Sequence, residues 1–270
     1  MRKSSPKTML DEFLLEMEMS HKSRNTIVNY RSDIKSFLNT CTAGIENLTT
    51  EELRRHISGL NHKSPTTRAR HLSSLKKFLG WCYKRDFIPD NPILNPILKI
   101  KREKPDNFEI KKVKKSEIQR IISSITDNNL KYKLIFTLML EAGLKTYEVL
   151  NLEYENIETE IQTIFVNSEC PRRIPLFSPG SIKLFRVYTE KFNIKSGFLF
   201  KGGETQGKTL SYQALNKFWR KSCAKANADV KLYQLRDCYA KELVERGINI
   251  CIIGQMLGHK NFQTTVKYMS

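Results

Sequence analysis

The sequence lacks the clustered ligands of a metal-binding or disulfide-rich protein. Its six cysteines are scattered and form no Cys-x-x-Cys pair, which disfavours both a zinc site and a disulfide framework. Of its five histidines only His259 lies in the C-terminal half, so a histidine metal site is not indicated there. We therefore expect a reduced chain that uses no metal ion and no other cofactor.

Long hydrophobic runs are also missing. The run LIFTLML at 134–140 is among the longest, whereas a helix that crosses a bilayer needs about 20 apolar residues. No apolar stretch follows Met1, so secretion is not expected. These absences predict a cytoplasmic protein with no membrane partner.

Acidic residues are too few to balance the basic ones. The chain has 28 Asp and Glu against 46 Lys and Arg, a net charge of +18 at pH 7. Such an excess favours a polyanionic partner, and nucleic acid is the first candidate. An anionic membrane surface is the alternative, but no stretch pairs a basic face with a bulky apolar one. Charge alone indicates binding and says nothing about catalysis.

Residues 1–97 carry the pattern of a helical domain with one strongly basic helix. Four segments repeat apolar residues every three or four positions: MLDEFLLEMEMS, TIVNYRSDIKSFLNTC, TTEELRRHISGL and PTTRARHLSSLKKFLGWCYKR. The apolar face of the fourth segment, which includes Phe78 and Trp81, is expected to pack on a core. Its basic residues are expected to face phosphates, namely Arg68, Arg70, Lys76 and Lys77. Asn-Pro pairs at 91–92 and 95–96 end this block.

A charged segment at 98–115 follows, LKIKREKPDNFEIKKVKK. It is either a solvated tether or a basic strap that lets two domains close on opposite sides of a duplex, and composition leaves both open. In the second case Lys101, Arg102 and Lys104 would contact the DNA backbone.

Residues 116–270 mix helices with a few strands. The segments TIFVNS and RRIPLF predict a short hairpin, and GFLF predicts a buried strand. Most of the remaining sequence has helical spacing, and the strands do not alternate with helices as in a doubly wound sheet. The predicted class is mostly α, with an α+β second domain that holds a small sheet.

The C-terminal stretch holds groups suited to attack on a phosphodiester. The sequence GINICIIGQMLGHKNFQTTVKYMS contains a Leu-Gly-His turn at 257–259 and then Tyr268, and Arg236 lies upstream in KLYQLRDCYAKEL. Tyr268 would be the nucleophile, while His259 and Arg236 would hold the non-bridging oxygens, with no metal ion required. Each residue alone is more often structural, such as a terminal tyrosine or a helix-cap histidine.

Taken together, these segments resemble the tyrosine recombinases of the phage-integrase family over nearly the whole chain. LYQLRDCYAKELVERGINICIIGQMLGHKNFQTTVKYM follows the family's order of arginine helix, Leu-Gly-His, Thr-Thr and tyrosine. EAGLKTYEVLNLEYENI at 141–157 is similar to the segment that carries the first catalytic arginine. SRNTIVNYRSDIKSFL and PTTRARHLSSLKKFLGW, closing on DNP, resemble the N-terminal core-binding domain.

The resemblance implies a C-shaped clamp around duplex DNA and site-specific strand exchange. A tyrosine displaces a 5′-hydroxyl, leaves a 3′-phosphotyrosyl bond and is displaced by another strand. The implied partners are double-stranded DNA with specific recombination sites and a homotetramer on paired sites, with an accessory DNA-binding protein left open. The implied event is integration, excision or resolution of a mobile element or replicon.

Three positions depart from the family pattern. The first arginine falls at Lys145, which keeps a positive charge but loses the planar fork that grips two phosphate oxygens. The histidine of the His-x-x-Arg motif falls at Tyr233, a donor without charge near neutral pH. The hairpin lysine falls near Asn167, with Arg172 and Arg173 as nearby basic residues.

Other residues around the site have supporting interpretations. Glu148, one helical turn after Lys145, matches an acidic residue of the family and is expected to orient the basic side chains. Thr264 and Thr265 are expected to cap the short helix that carries Tyr268. The flanking apolar residues are expected to be core: Ile252, Ile253, Met256, Leu257 and Phe262.

The stretch GGETQGKT at 202–209 fits the Walker A pattern and follows GFLF. Leu210 and Ser211 intervene before the predicted helix, and no apolar strand ending in Asp follows at a Walker B distance. We interpret the stretch as a basic loop and not as a nucleotide site.

Two other functions stay open beside an active recombinase. Lys145, Tyr233 and Asn167 favour a catalytically silent DNA-binding relative. A type IB topoisomerase-like enzyme would share the tyrosine chemistry, but the helical N-terminal domain argues against it. Because Tyr268, Arg236 and His259 keep the family spacing, we favour a working recombinase with an atypical active site.

Overall fold

The computed structural model describes residues 6–41, 44–88, 113–168, 171–175, 178–202 and 209–269. The chain forms two compact units, Met1–Ile110 and Lys111–Ser270. Most of the predicted basic segment, with Lys101, Arg102 and Lys104, lies outside the described residues. Within the part of the chain that is described, the helices are too short or too polar to span a bilayer.

Four α-helices in the described part of the first unit coincide with the four predicted segments, although the first two begin ahead of theirs, at Pro6 and Arg24. They are α1 (Pro6–Met19), α2 (Arg24–Leu38), α3 (Thr50–Ser58) and α4 (Pro65–Lys84), with a 3₁₀ turn at Ile45–Asn47. Ser23, Thr49 and Ser64 cap α2, α3 and α4, because each side-chain oxygen accepts a backbone N–H three residues on. Pro65 occupies the first turn, where its missing N–H has no helical partner to lose.

The core of the first unit is built around Phe13 of α1. Its ring meets those of Tyr30, Phe78 and Trp81 edge to face, with centroids 5.4–5.7 Å apart. Such pairs stabilise a core beyond the area they bury. Phe78 and Trp81 are buried, so the predicted apolar face of α4 is confirmed. The Trp81 indole N–H donates to the Glu16 carboxylate at 2.7 Å, which satisfies its polar atom.

Asp33 joins α2 to α4 through a fully buried carboxylate. It accepts hydrogen bonds from Arg70 and, at 2.7 Å, from Ser74, and the His71 ring nitrogen Nε2 lies 2.9 Å away. A buried charge is tolerated when it is paired and hydrogen-bonded in this way. Arg70, which sequence predicts to face phosphates, therefore also holds the two helices together.

The remaining basic residues of α4 lie in different surroundings. Arg68 donates to the backbone carbonyls of Asn61 and Lys63 at 3.2 Å, and so supports the turn before α4. Lys76 is half-buried and Lys77 is exposed. Contact of these side chains with phosphates stays a prediction.

Replacing the buried carboxylate should destabilise the first unit. Asp33→Ala removes the buried hydrogen-bond partner of Ser74 and the carboxylate beside His71, so we expect the free energy of unfolding to fall by about 1–3 kcal/mol in urea denaturation. The matched control is Asp11→Ala, because the Asp11 pair with Arg31 is about half exposed and should contribute less than about 1 kcal/mol. Equal losses in the two variants would contradict this account.

The described part of the second unit is mainly helical. Its helices are α5 (Lys115–Ser123), α6 (Leu130–Ala142), α7 (Thr146–Leu150), α8 (Pro179–Lys191), α9 (Tyr212–Lys225), α10 (Gln234–Glu245), α11 (Ile250–Leu257) and α12 (Gln263–Val266), with 3₁₀ turns at Asp127–Asn129 and Tyr154–Asn156. The apolar helix α6 lies at the centre and packs against α8 and α10. Trp219 of α9 is fully buried, and its ring lies tilted against that of Phe136 of α6, with centroids 4.6 Å apart.

A small antiparallel sheet lies beside these helices. It consists of β1 (Ile157–Glu158), β2 (Thr163–Val166) and β3 (Arg172–Pro175) in sequential order, with Ile164 opposite Ile174. The predicted hairpin is confirmed as β2 and β3. The strand β1 was not predicted, because two residues carry no detectable alternation.

The predicted strand GFLF is wrong. Phe198 makes a single bridge to Glu153, while Leu199 and Phe200 are buried without joining the sheet. Leu199 N–H donates to Leu152, and the Phe200 carbonyl accepts from Leu210, so the backbone bonds go to two separate segments. A buried apolar run is thus satisfied without a continuous ladder. Residues 203–208 of the glycine-rich stretch lie outside the described residues, and α9 begins after its cap Ser211.

Candidate active site

A cleft in the second unit is lined by the five residues that sequence predicts to act on a phosphodiester. Its volume is about 510 Å³, and it is lined by Lys145, Tyr233, Arg236, His259 and Tyr268. They come from the starts of α7 and α10, from the turn after α11 and from the segment after α12. Lys260 and Lys267 also line the cleft, so its walls are rich in positive charge. The arrangement suits an anionic ligand.

The Leu-Gly-His turn follows from the backbone at Gly258. Helix α11 ends at Leu257, and Gly258 adopts a left-handed conformation with φ +62°. A Cβ at this position would lie 2.7 Å from the Arg172 guanidinium, so a side chain does not fit. The His259 N–H donates back to the Gly254 carbonyl at 3.0 Å, which closes the helix end. The turn thereby brings the His259 ring to the cleft.

Three basic side chains satisfy three consecutive carbonyls at the end of α11. Arg172 donates to Met256 at 2.7 Å, Arg236 to Leu257 at 2.6 Å and Lys145 to Gly258 at 3.1 Å. The last carbonyls of a helix have no partner within the helix and carry partial negative charge, so cations are favoured there. Helix α11 therefore gathers residues from α7, β3 and α10 around its C-terminus.

Glu148 supplies a buried negative charge beneath the same cations. Its carboxylate accepts from the Arg172 guanidinium and from the Lys145 backbone N–H, both at 2.8 Å. The Lys145 Nζ lies 3.8 Å from it and the Arg236 Nη1 lies 4.0 Å from it. Burial opposes ionisation, but these hydrogen bonds and charges hold the pKa of Glu148 below its ordinary value. The contacts are those of a residue that orients its basic neighbours.

Arg236 is held rigidly at the cleft wall. Its guanidinium is largely buried and donates to the carbonyls of Gly143 and Leu257, both at 2.6 Å. Gly143 ends α6 in the left-handed conformation, so Arg236 ties the ends of α6 and α11 together. Burial lowers the pKa of Arg236, while the nearby Glu148 carboxylate opposes that effect. A fixed cation of this kind needs little reorganisation to bind an anion.

His259 is oriented by Thr265. The ring nitrogen Nδ1 and the Thr265 hydroxyl share a hydrogen bond of 2.8 Å, and Thr265 is fully buried within α12. The prediction that Thr264 and Thr265 cap this helix is wrong, because α12 begins at Gln263, after Phe262, and both threonines lie within it. Burial, helped by the nearby charges of Arg236 and Lys145, lowers the pKa of His259 to about 4. The imidazole is therefore neutral at pH 7.

Tyr268 lies two residues beyond α12 and is buried in the cleft wall. Its hydroxyl donates to the Asp237 carboxylate at 2.6 Å, and its ring stacks on that of His259 with centroids 6.4 Å apart. Burial and the hydrogen bond to Asp237 raise the pKa of Tyr268. The phenol is therefore protonated at neutral pH. Sequence reasoning missed Asp237, although it directly follows Arg236 in the arginine motif.

Comparison with known proteins identifies the family. Residues 111–270 match the phage integrase family, and residues 10–86 match the N-terminal SAM-like domain of phage integrases. The chain belongs to the phage integrase family. The predicted resemblance is thereby confirmed, and the chain is a tyrosine recombinase, an enzyme of site-specific DNA recombination.

Relatives of this recombinase match along most of their length. The tyrosine recombinase XerA of Pyrococcus horikoshii is 29% identical over 268 residues, which cover 96% of this chain and 88% of the relative. The tyrosine recombinase of Thermosipho africanus is 27% identical over 263 residues, covering 92% and 89%.

Solved structures confirm the predicted fold class of the recombinase. A lambda integrase (75–356) dimer bound to a COC′ core site matches with a TM-score of 0.76 at 16% identity, covering 98% of this chain and 95% of that one. The Tn1549 transposon integrase in complex with circular intermediate DNA matches with a TM-score of 0.72 at 17% identity, covering 96% and 94%.

The other predicted residues of the recombinase lie in three kinds of place. Tyr233 precedes α10 and is 57% exposed at the cleft. Arg172 is buried beneath the cleft, bound to Glu148 and to Met256. Asn167 is exposed at the end of β2 and does not line the cleft. The side chain of Arg173 lies outside the described residues.

The apolar residues around α11 divide between core and surface. Ile253 and Leu257 are fully buried, as predicted. Ile252 is 50% exposed and Phe262 is 47% exposed, so the prediction that both are core is wrong. Helix α11 has only eight residues and is apolar on more than the one face that packs on the unit.

Loss of the Glu148 charge should destabilise the recombinase in a pH-dependent way. At pH 7 Glu148→Gln leaves buried cations unpaired, so we expect a loss of about 3 kcal/mol in urea denaturation. The folded pKa lies below the ordinary 4.5, so this contribution is present above about pH 5 and disappears as the pH falls through the folded pKa. The exposed Glu190→Gln variant is the control. A difference from the parent that stays constant down to pH 3 would rule out this role.

The depressed pKa of His259 can be tested by NMR. Ring resonances assigned with His259→Gln should show a neutral imidazole down to about pH 5, because burial and nearby cations disfavour the proton. Because the folded pKa is about 4 and the ordinary value is 6.5, folding stability from this group is lost as the pH falls below 6.5. Lys267→Gln removes one neighbouring charge and should raise the pKa. Titration of the His259 ring near pH 6.5 in the parent protein would contradict the prediction.

Proposed function

We propose that this recombinase cleaves and rejoins DNA strands at specific sites through a 3′-phosphotyrosyl bond formed by Tyr268. The observation that carries the proposal is the cleft itself, which places a protonated phenol beside Arg236, His259 and Lys145. In the proposed reaction the Tyr268 oxygen attacks phosphorus and the 5′-oxygen leaves. A 5′-hydroxyl of another strand then displaces the tyrosine.

The cations of the cleft would stabilise charge on the non-bridging oxygens. The Arg236 guanidinium is held by hydrogen bonds to the carbonyls of Gly143 and Leu257, and its Nη1 lies 4.0 Å from the Glu148 carboxylate. When the Thr265 hydroxyl donates to Nδ1 of His259, the ring proton lies on Nε2. The neutral imidazole can then donate a hydrogen bond from Nε2 to a phosphate oxygen. Binding of a phosphate would also favour protonation of His259, because an opposite charge raises the pKa of an imidazole.

Two residues of the proposed active site, Lys145 and Tyr233, differ from the family pattern. Lys145 would contact a phosphate oxygen through one ammonium group in place of a forked guanidinium. Removal of one donor to the developing charge costs about 2.7–4 kcal/mol in other enzymes, and the charge of Lys145 would recover part of that. Tyr233, exposed at the cleft, would add a single hydrogen bond. Neither Asn167 nor Arg172 lines the cleft, so neither is well placed to give a proton to the leaving 5′-oxygen.

Assembly on DNA belongs to the same proposal. The net charge of +18 and the exposed Lys77 of α4 support contact of both units with a duplex. A lambda integrase tetramer bound to a Holliday junction has subunits similar to this chain, with a TM-score of 0.76 at 15% identity. That likeness supports a homotetramer on paired sites. The likeness to the Tn1549 transposon integrase supports a mobile element as the context.

A covalent-adduct assay tests the proposed function. The target site is first selected from a random duplex pool by binding, and a nicked suicide duplex of that site is then incubated with the protein. The parent should form a protein–DNA adduct that resists denaturing electrophoresis, and Tyr268→Phe should bind the duplex without forming it. Lys145→Arg should form the adduct about tenfold faster, since it restores the planar fork.

The second candidate function is a catalytically silent DNA-binding relative. It is favoured by Lys145 and by the hydrogen bond that holds the Tyr268 hydroxyl on Asp237. Specific binding without an adduct, in both the parent and Lys145→Arg, would establish it against the proposed function. If only Lys145→Arg formed the adduct, the lack of catalytic activity in the parent would be due to Lys145.

A further inference from the structure

Asp237 is placed where a proton acceptor for Tyr268 is needed. Its carboxylate lies in the first turn of α10, beside Arg236, and accepts the Tyr268 hydroxyl at 2.6 Å. Both residues are largely buried, so the contact is shielded from water. The two residues are 31 positions apart and belong to different elements, so the contact depends on the folded unit.

A phenol that attacks phosphorus must lose its proton. The pKa of Tyr268 is raised by burial and by Asp237, so ionisation before attack is disfavoured at neutral pH. A base at hydrogen-bond distance can remove the proton as the new bond forms. Lys145, Arg236 and Lys267 are cations and carry no lone pair for it. The imidazole nitrogen Nδ1 of His259 is already engaged with Thr265.

We propose that Asp237 is the general base for Tyr268, an inference that rests on the proposed function. In the cleavage step the Tyr268 O–H bond breaks and its proton passes to Oδ1 of Asp237. The phenol oxygen bonds to phosphorus, the bond from phosphorus to the 5′-oxygen breaks, and that oxygen leaves with the electron pair and is protonated by solvent. In the rejoining step a 5′-hydroxyl loses its proton to solvent and displaces the tyrosine, and Asp237 returns the proton to the phenol oxygen.

The surrounding charges fit this role. The Lys267 Nζ lies 3.9 Å from Oδ1 of Asp237, so an ammonium group faces the carboxylate. Arg236 lies on the same turn of α10 and adds positive charge nearby. Once the phosphate is bound, the carboxylate and the phosphate repel each other. Transfer of the proton to Asp237 removes that repulsion as the transition state forms, so the interaction favours the transition state over the ground state.

The test uses Asp237→Asn, which keeps an oxygen that accepts the Tyr268 hydrogen bond but cannot take its proton. Adduct formation is measured on the selected suicide duplex and on the same duplex with a 5′-bridging sulfur at the scissile phosphate. A thiolate leaves without a proton donor, so the sulfur substrate isolates removal of the phenol proton. Asp237→Asn should be slower by about 100-fold or more on both substrates, with DNA affinity and unfolding temperature close to the parent.

The pH profile separates a base from a residue that only positions Tyr268. Without a base, the rate should follow the ionised fraction of the phenol and rise about tenfold per pH unit, whereas the parent should depend less on pH between about 6 and 8. Asp229→Asn is the matched control, because it makes the same change at an exposed pair with Lys231. It should behave as the parent.

Each outcome has a distinct meaning. Equal or faster adduct formation by Asp237→Asn, with an active parent, overturns the inference and leaves the proposed function in place. If neither the parent nor Lys145→Arg forms an adduct, the proposed function is overturned, and this inference falls with it. If Asp237→Asn does not fold, Asp237→Glu decides, because a carboxylate one methylene away should retain the shallow pH dependence of the parent. A steep profile in that variant overturns the inference.

Discussion

The C-terminal end of α11 is the feature on which the candidate site depends. The carbonyls of its last two residues and of the following Gly258 take hydrogen bonds from Arg172, Arg236 and Lys145. These three cations would repel one another if no negative charge lay near them. The buried carboxylate of Glu148 provides that negative charge. The helix end and the carboxylate thus fix side chains from separate elements within one wall. Positive charge is organised there before any ligand arrives, which is the condition for efficient stabilisation of a phosphate in reaction.

The Tyr268 side of the cleft is organised by a second pair of contacts. Thr265 orients His259, and Asp237 accepts the hydroxyl of Tyr268. Thr265 lies on α12, which packs on α11, and Asp237 lies on α10, which also carries Arg236. A change at the Gly258 turn would therefore disturb the cations and the histidine together, since Arg172 lies against the space that a side chain would occupy.

Sequence patterns predict most of the helices and the residues of the cleft, but not their contacts. Ser64 and Pro65 mark the start of α4 because caps act locally. Thr265, in contrast, was predicted to be a cap and is a buried partner of His259, a relation that exists only after α12 packs on α11. GFLF was predicted to be a strand because burial and strand pairing give the same apolar run. The exposure of Ile252 and Phe262 depends on which faces find a partner.

Mass spectrometry of the covalent product would show whether Tyr268 attacks the DNA backbone. A trapped complex is digested with protease and nuclease, and the modified peptide is sequenced. We expect a nucleotide joined through its 3′-phosphate to the peptide that contains Tyr268, with a free 5′-hydroxyl on the released strand. A nucleotide joined to another side chain, or through a 5′-phosphate, would contradict it.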